Sequence, residues 1–217
     1  MPRSSEKKRH VDKGILLASF AKKVIGECPK CGGPALVTCQ STYAVAFVPT
    51  HTRINCLHCS YQMVPRDREW LGPVTGVAKG RCQNCGFKWL KKEMQRQRLN
   101  NRASQCASVA CPSCEKVTKI PIKWTRERFG APVDPVLGLP LWLQVSCCGH
   151  SLWAYNGEHL SKLGAYVAAG LRERTANKHW SIFSRLPQWM TAGKNREAVL
   201  ASINRLEKKL ASLKPKR

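Results

Sequence analysis

Residues 27–59 read ECPKCGGPALVTCQSTYAVAFVPTHTRINCLHC and contain two Cys-x-x-Cys pairs, Cys28/Cys31 and Cys56/Cys59, which are separated by 24 residues. The first pair encloses a proline and is followed by two glycines, which suit a tight turn. Such a turn brings both sulfurs to one knuckle, where backbone N–H groups approach and stabilise thiolate charge. Two facing knuckles supply the four cysteines of a closed tetrahedral metal site. The sequence therefore predicts a four-cysteine metal centre in this segment.

The residues between the two pairs favour β-structure, because β-branched and aromatic side chains such as Val37 and Val45 are frequent there. Knuckle, strand, turn, strand and knuckle follow in the order of a zinc ribbon. The segment resembles zinc ribbons of the transcription-factor type, which occur in basal transcription factors, ribosomal proteins, primases and phage late-gene activators. The resemblance implies a structural zinc ion on the four cysteines and a role in binding nucleic acid or a polymerase.

The resemblance covers roughly residues 27–62, and a second candidate ribbon lies at residues 110–155. The C-terminal text, LWAYNGEHL from residue 152 and SRLPQWM from residue 184, is similar to that of bacterial zinc-ribbon proteins. It carries no further functional residues over to this chain.

The Cys-x-x-Cys spacing recurs at Cys82/Cys85 and Cys111/Cys114 among 12 cysteines. We expect Cys111 and Cys114 to share a metal site with two of the three residues Cys147, Cys148 and His150. Cys147 plus Cys148 is favoured, because Gly149 follows Cys148 directly, as in a normal knuckle. The alternative is a set of three cysteines and one histidine.

The pair at residues 82 and 85 has no evident partner pair. It could take Cys106 and Cys39, although a lone cysteine within a strand is more often a small buried residue. It could also face the pair at 56 and 59, from which 22 residues separate it. Two or three Zn²⁺ ions per chain are expected. The candidate ligands are Cys28, Cys31, Cys56, Cys59, Cys82, Cys85, Cys106, Cys111, Cys114, Cys147, Cys148 and His150.

Paired cysteines indicate metal rather than disulfides when the chain shows no export signal. The apolar run at residues 14–21 is short, and Lys22 and Lys23 follow where a cleavage site would lie. No apolar run approaches the ~20 residues of a membrane span. We therefore expect a cytoplasmic protein that has no membrane partner and binds zinc under reducing conditions.

The charge balance points to a polyanionic partner. The chain has 37 basic and 13 acidic residues, which give a formal net charge of +24. Nucleic acid, DNA or RNA, is the usual partner of so basic a chain. Residues 88–100 (KWLKKEMQRQRLN) lack glycine and proline and predict a basic helix. Residues 116–128 alternate basic and apolar side chains, and Trp124 could stack on bases. The candidate contacts are Lys88, Lys91, Lys92, Arg96, Arg98, Lys119, Lys123, Trp124, Arg126 and Arg128.

The C-terminal part reads as helical. Asn156 is a plausible N-cap for a helix over residues 157–174, and apolar residues at spacings of four and three predict a last helix whose seam spans residues 199–213. We expect the two helices to pack together, with a dimer or partner interface as the alternative for the seam. A further short helix is predicted at residues 15–25.

The predicted fold class is α+β, with tandem zinc-ribbon-like small β modules followed by a C-terminal helical segment. The predicted units are a disordered basic arm (1–13), a helix plus the first zinc ribbon (14–62), the third knuckle with the basic helix (63–105), the second zinc ribbon (106–155) and the C-terminal helices (156–217).

The function predicted from these features is non-catalytic binding of nucleic acid by a zinc protein, in a regulatory role or within a nucleoprotein complex. Four-cysteine spheres leave no open coordination position, so neither catalysis nor a small-molecule substrate is expected. One alternative is an adaptor that docks a polymerase, a ribosome or a defence complex. Another is a metal-dependent nuclease that uses His150, Asn156 and His159.

Overall fold

The computed structural model describes residues 9–42, 48–66, 69–98, 105–126, 132–174 and 180–213. It shows an α+β protein with several small sheets and a long C-terminal helix. The strands are β1 (Arg9–Asp12), β2 (Lys23–Glu27), β3 (Pro34–Thr42), β4 (Val48–Cys56), β5 (Gln62–Met63), β6 (Val74–Gly80), β7 (Leu90–Arg96), β8 (Cys106–Ala110), β9 (Val117–Arg126), β10 (Gln144–Cys147), β11 (His150–Trp153) and β12 (Leu171–Arg174). The helices are α1 (Gly157–Ala168), α2 (Gln188–Thr191) and α3 (Arg196–Ala211), with 3₁₀ turns at Leu17–Phe20, Phe183–Arg185 and Gly193–Asn195.

The first sheet is antiparallel and has the strand order β2-β3-β4-β5. Its β2–β3 turn contains the first Cys-x-x-Cys pair, and Cys56 at the end of β4 lies opposite Ala35. Alternate residues of β3, including Ala35 and Val37, are buried in the core. The strand, turn, strand order expected between the first two knuckles is present, and residues 43–47 of the turn lie outside the described part of the chain.

The second sheet has the strand order β7-β6-β9-β8 and consists of two hairpins, β6/β7 and β8/β9. Antiparallel pairing of β6 with β9 joins the hairpins. One side of the sheet covers a small core that includes Ala78, Leu90, Ala107 and Ile120. Each hairpin turn carries one Cys-x-x-Cys pair, so the pairing of β6 with β9 brings both pairs to one end of the sheet.

The helix predicted over residues 88–100 is wrong, because Leu90–Arg96 is strand β7. Leu90 and Met94 pack on the core of the second sheet, while Lys91 and Glu93 are exposed on the opposite face. A spacing of four residues fits one face of a helix as well as one face of a strand. Pairing with β6 therefore decides the conformation against the helix propensity of the lysines, glutamines and arginines.

The C-terminal helices α1 and α3 pack against each other, as predicted. Val199, Ile203 and Leu206 of α3 are buried within the chain, so the apolar seam is covered without a second copy. Among the described helices, none is long and apolar enough to cross a membrane.

Two further helical predictions and the predicted arm need correction. Helix α1 ends at Ala168, and residues 171–174 form β12, which pairs in parallel with β1. The predicted disordered arm is therefore ordered over residues 9–12, where buried Asp12 accepts a hydrogen bond from Ser181 (2.8 Å), and residues 1–8 lie outside the described chain. The helix predicted at residues 15–25 is a 3₁₀ turn followed by β2, because β2 pairs with β3.

The predicted second ribbon at residues 106–155 is divided between two cores. Strands β8 and β9 belong to the second sheet, whereas residues 136–155 pack in the larger core with the first sheet and the helices. Backbone hydrogen bonds join this later stretch to β2, from Ile25 N to Tyr155 O (2.8 Å) and from Trp142 N to Ile25 O (3.0 Å). The division arises because β9 finds its partner strand in β6, upstream of the predicted boundary.

Candidate metal centres and nucleic-acid interface

The first cysteine tetrad consists of Cys28, Cys31, Cys56 and Cys59, whose Sγ atoms all lie within 4.8 Å of one another. The Cys31–Cys56 and Cys28–Cys59 Sγ distances are 3.6 and 3.9 Å. A tetrahedron with metal–sulfur bonds of about 2.3 Å has sulfur–sulfur edges of about 3.8 Å. The four sulfurs are thus close enough together to hold one tetrahedral metal ion.

Backbone N–H groups surround the thiolates of the first tetrad. Lys30 N and Gly33 N donate to Cys28 Sγ and Cys31 Sγ, both at 3.4 Å. Burial raises the pKa of Cys56, but N–H donation from Cys59 (3.2 Å) and His58 (3.3 Å) outweighs it and lowers the pKa to about 6. The N–H groups of this knuckle therefore favour the thiolate of Cys56. At Cys31 the N–H of Gly33 lowers the pKa, but desolvation and hydrogen bonds with the other three thiols outweigh it and raise the pKa to about 12.

The second cysteine tetrad consists of Cys82, Cys85, Cys111 and Cys114, again with all Sγ atoms within 4.8 Å. The Cys82–Cys114 and Cys85–Cys111 distances are 3.6 and 3.5 Å. Backbone N–H groups of Cys85 and Asn84 lower the pKa of Cys82 to about 6. The hydroxyl of Thr118 also donates to Cys82 Sγ at 3.7 Å, which links the turn of one hairpin to β9 of the other.

The predicted division of the cysteines was wrong for the second tetrad. Cys111 and Cys114 face the pair at 82 and 85, and not residues 147, 148 or 150, because β6 and β9 are neighbours. The rival pairing of 82 and 85 with 56 and 59 is wrong as well. The spacing did not decide between these pairings, since 25 residues lie between Cys85 and Cys111, 24 between Cys31 and Cys56, and 22 between Cys59 and Cys82.

The remaining candidate ligands lie apart from the two tetrads. Cys147 is buried and its thiol donates to Ala198 O at 3.7 Å, while its neighbour Cys148 is exposed. The ring of His150 stacks on Trp189 with a centroid distance of 5.0 Å. Cys106 is exposed on β8. These residues join no metal-ligand group in the described part of the chain.

Cys39 behaves as the small buried residue that its place in a strand suggests. Its thiol donates to Ala21 O at 3.7 Å, and burial raises its pKa to about 11. It packs in the larger core and belongs to neither tetrad.

One face of the second sheet is open to solvent and basic. Lys79 on β6, Lys91 on β7, and Lys119 and Lys123 on β9 are all exposed there, and we refer to these four lysines as the basic face. Lys79 lies opposite Lys91 in the register, and Val77 lies between Glu93 and Lys123. Glu93, on the same face, forms an ion pair with Lys91.

The structure separates the predicted nucleic-acid contacts into groups. Three of them, at 91, 119 and 123, belong to the basic face, and Lys79 was missed because its face follows only from the strand register. Four others lie on the opposite side of the sheet, namely Lys92, Arg96, Trp124 and Arg126. Lys92 donates to Ser108 O (3.3 Å). The guanidinium of Arg96 lies 5.3 Å from the ring centroid of Trp124, and that of Arg126 lies 5.9 Å from the ring centroid of Trp70.

The other three predicted contacts lie off the regular strands. Lys88 is exposed just before β7, and Arg98 forms an ion pair with Glu69 at 3.5 Å. Arg128 lies outside the described residues.

The residues of the nuclease alternative make contacts that hold the fold. Asn156 caps α1 by accepting from His159 N (2.9 Å), and its amide donates to Phe20 O (3.0 Å) and Lys23 O (2.7 Å). His159 is buried, accepts from Tyr155 N at Nδ1 (3.2 Å), and has its pKa lowered by burial to about 4. Both side chains thus connect α1 to β2 and the residues beside it.

Comparison of the chain with protein-family models, curated proteins and solved structures found no match.

Proposed function

We propose that this protein binds two structural Zn²⁺ ions in zinc-ribbon-like modules and uses the basic face to bind the phosphate backbone of DNA or RNA in the cytoplasm without catalysing a reaction. The observation that carries the proposal is the placement of the second tetrad. It fixes the turns of both hairpins, and those hairpins supply all four lysines of the basic face.

Zinc is the metal that these tetrads suit best. Tetrahedral sets of four thiolates bind Zn²⁺ or iron–sulfur groups, and the Sγ separations of 3.5 to 3.9 Å match a single ion. All four positions of each sphere are taken by the chain, so the metal has a structural role. Purified protein should contain two zinc ions per chain by elemental analysis, and a content of three would require a further site.

The basic face has dimensions suited to a nucleic-acid backbone. Lys119 and Lys123 are about 13 Å apart along β9, as four residues of a strand are. The lysines of β6 and β7 extend the charge sideways by about 5 Å per strand. Among the described strand residues of this face, Glu93 is the one acidic side chain, so the face carries a net positive charge. Lysines spread in this way contact phosphates without reading sequence.

The test replaces all four lysines of the basic face by glutamine. Each lost phosphate contact should lower the slope of log K against log salt concentration by about 0.9 on duplex DNA, so the variant should lose both affinity and most of its salt dependence. A matched control replaces four exposed lysines elsewhere, at Lys13, Lys23, Lys194 and Lys208, and has the same net charge. If both variants lose the same slope, the charge acts non-specifically and the basic face is not the interface.

A further inference from the structure

A cleft of about 560 Å³ lies among the 3₁₀ turn at Leu17–Phe20, strand β11, helix α1 and residues 180–190. Three tryptophans line it: Trp153 from β11, Trp180, and Trp189 from α2. Its volume lies within the range of about 300–1,000 Å³ that is usual for small-ligand sites. We refer to it as the tryptophan cleft. It lies on the larger core and contains no residue of the basic face.

Two of the tryptophans of the cleft are held by neighbouring rings, and the third is exposed. His150 and Trp189 stack with an interplanar angle of 13°, and Trp153 meets His159 edge to face at 84°. Trp180 is 70% exposed, and the guanidinium of Arg185 lies 4.8 Å from its ring centroid. An indole so exposed leaves a large flat surface in water, where a planar ligand would gain by covering it.

The charge of the tryptophan cleft selects the kind of planar ligand. None of the described residues that line it is acidic, and Arg185 is its cation. Among the described residues, the ion pairs do not include Arg185. A guanidinium that stacks on an aromatic ring keeps its N–H edge free for a phosphate. A cationic ligand would be repelled here, and a purely apolar ligand would leave Arg185 without a role.

We propose that the tryptophan cleft binds a nucleobase that carries a phosphate, with the base stacked on the indoles and the phosphate on Arg185. Proteins that bind unpaired nucleotides use this combination of aromatic and arginine side chains. The base comes either from an unpaired nucleotide of a strand, in which case the inference rests on the proposed function, or from a free nucleotide. In the first case the basic face supplies general backbone affinity and the cleft supplies a preference for single strands.

The test measures the affinities of a short single-stranded oligonucleotide, a duplex of the same length and AMP by fluorescence anisotropy and calorimetry on the full chain. Trp180→Ala and Arg185→Gln should each weaken single-strand binding by about tenfold and leave duplex binding within about twofold. Arg53→Gln, at an exposed position of β4, is the matched control for the loss of one arginine charge. Thermal unfolding of each variant checks that the fold is retained.

The outcomes separate the cleft from the basic face. Binding of AMP that both cleft variants lose supports a free nucleotide, whereas loss of single-strand binding alone supports an unpaired nucleotide in a strand. If both cleft variants bind the single strand and AMP as the wild type does, the cleft inference is wrong and the proposed function of the basic face is unaffected. If the fourfold basic-face variant binds normally while the cleft variants do not, the proposed interface is wrong and the cleft remains.

Discussion

The two cysteine tetrads have nearly the same geometry, but they sit in very different surroundings. The first lies at the edge of the larger core, which also contains β10, β11 and the C-terminal helices. The second holds a sheet whose small core includes two of its own ligands, Cys82 and Cys111. A module with so little apolar core depends on its metal for stability. We therefore expect metal to add stability to the first region and to be required for the folding of the second.

Loss of a ligand from the second tetrad should have the largest effect. Cys111→Ser removes a thiolate whose site contributes an apparent binding energy of about 10–16 kcal/mol in small zinc modules, which exceeds what the core of the second sheet can supply. Hydrogen exchange measured by mass spectrometry should show loss of protection in β6, β7, β8 and β9, with protection in α1 and α3 retained.

The matched control is Cys106→Ser, which changes an exposed cysteine of β8 outside both tetrads. It should exchange like the wild type. Retained protection of β6 and β9 in Cys111→Ser would show that the second sheet folds without its metal, and the contrast between the regions would then be lost.

Loss of a ligand from the first tetrad should have a smaller and more local effect. In Cys31→Ser, β2 keeps its backbone hydrogen bonds to residues 140–155, and Val24 and Ile54 remain in the larger core. We expect a lower melting temperature and faster exchange at residues 28–33 and 56–63, while the helices and the second sheet stay protected. Global unfolding of this variant would show that the first tetrad is as essential as the second.

The sequence alone predicted the first tetrad because its two knuckles and both strands are contiguous. It also predicted the packing of α1 on α3 and the cap at Asn156, since these depend on local spacing. The second tetrad could not be assigned in this way. Its two cysteine pairs come together only because β6 of one hairpin pairs with β9 of the other. Strand β7 was mistaken for a helix because Leu90 and Met94 satisfy both periodicities. The position of Lys79 on the basic face follows only from the strand register. The tryptophan cleft is formed by segments that are far apart in the chain, so neither could be predicted from the sequence.

Acid should affect the two regions differently, and this difference gives the smallest expected effect. His159 has a pKa of about 4 in the folded chain because it is buried, against 6.5 when unfolded. Between these values the unfolded chain binds more protons, so the free energy of unfolding of the larger core falls as pH decreases, by about 3 kcal/mol in total from this residue. Residues 74–126 contain no histidine, so acid acts there on the thiolates and on the carboxylates, of which Glu93 has its pKa lowered by its hydrogen bond and ion pair with Lys91.

His159→Gln should remove this component, because glutamine is neutral at every pH. The free energy of unfolding of the wild type relative to the variant, measured from hydrogen exchange in α1 and α3, should decrease by about 3 kcal/mol from pH 7 to pH 4. Metal release cancels in this difference, since both proteins carry the same tetrads. His51→Gln, at an exposed position of β4, is the control and should follow the wild type. A difference between wild type and His159→Gln that does not change with pH would mean that the buried ring is protonated without cost, and that acid acts on the larger core through its other groups.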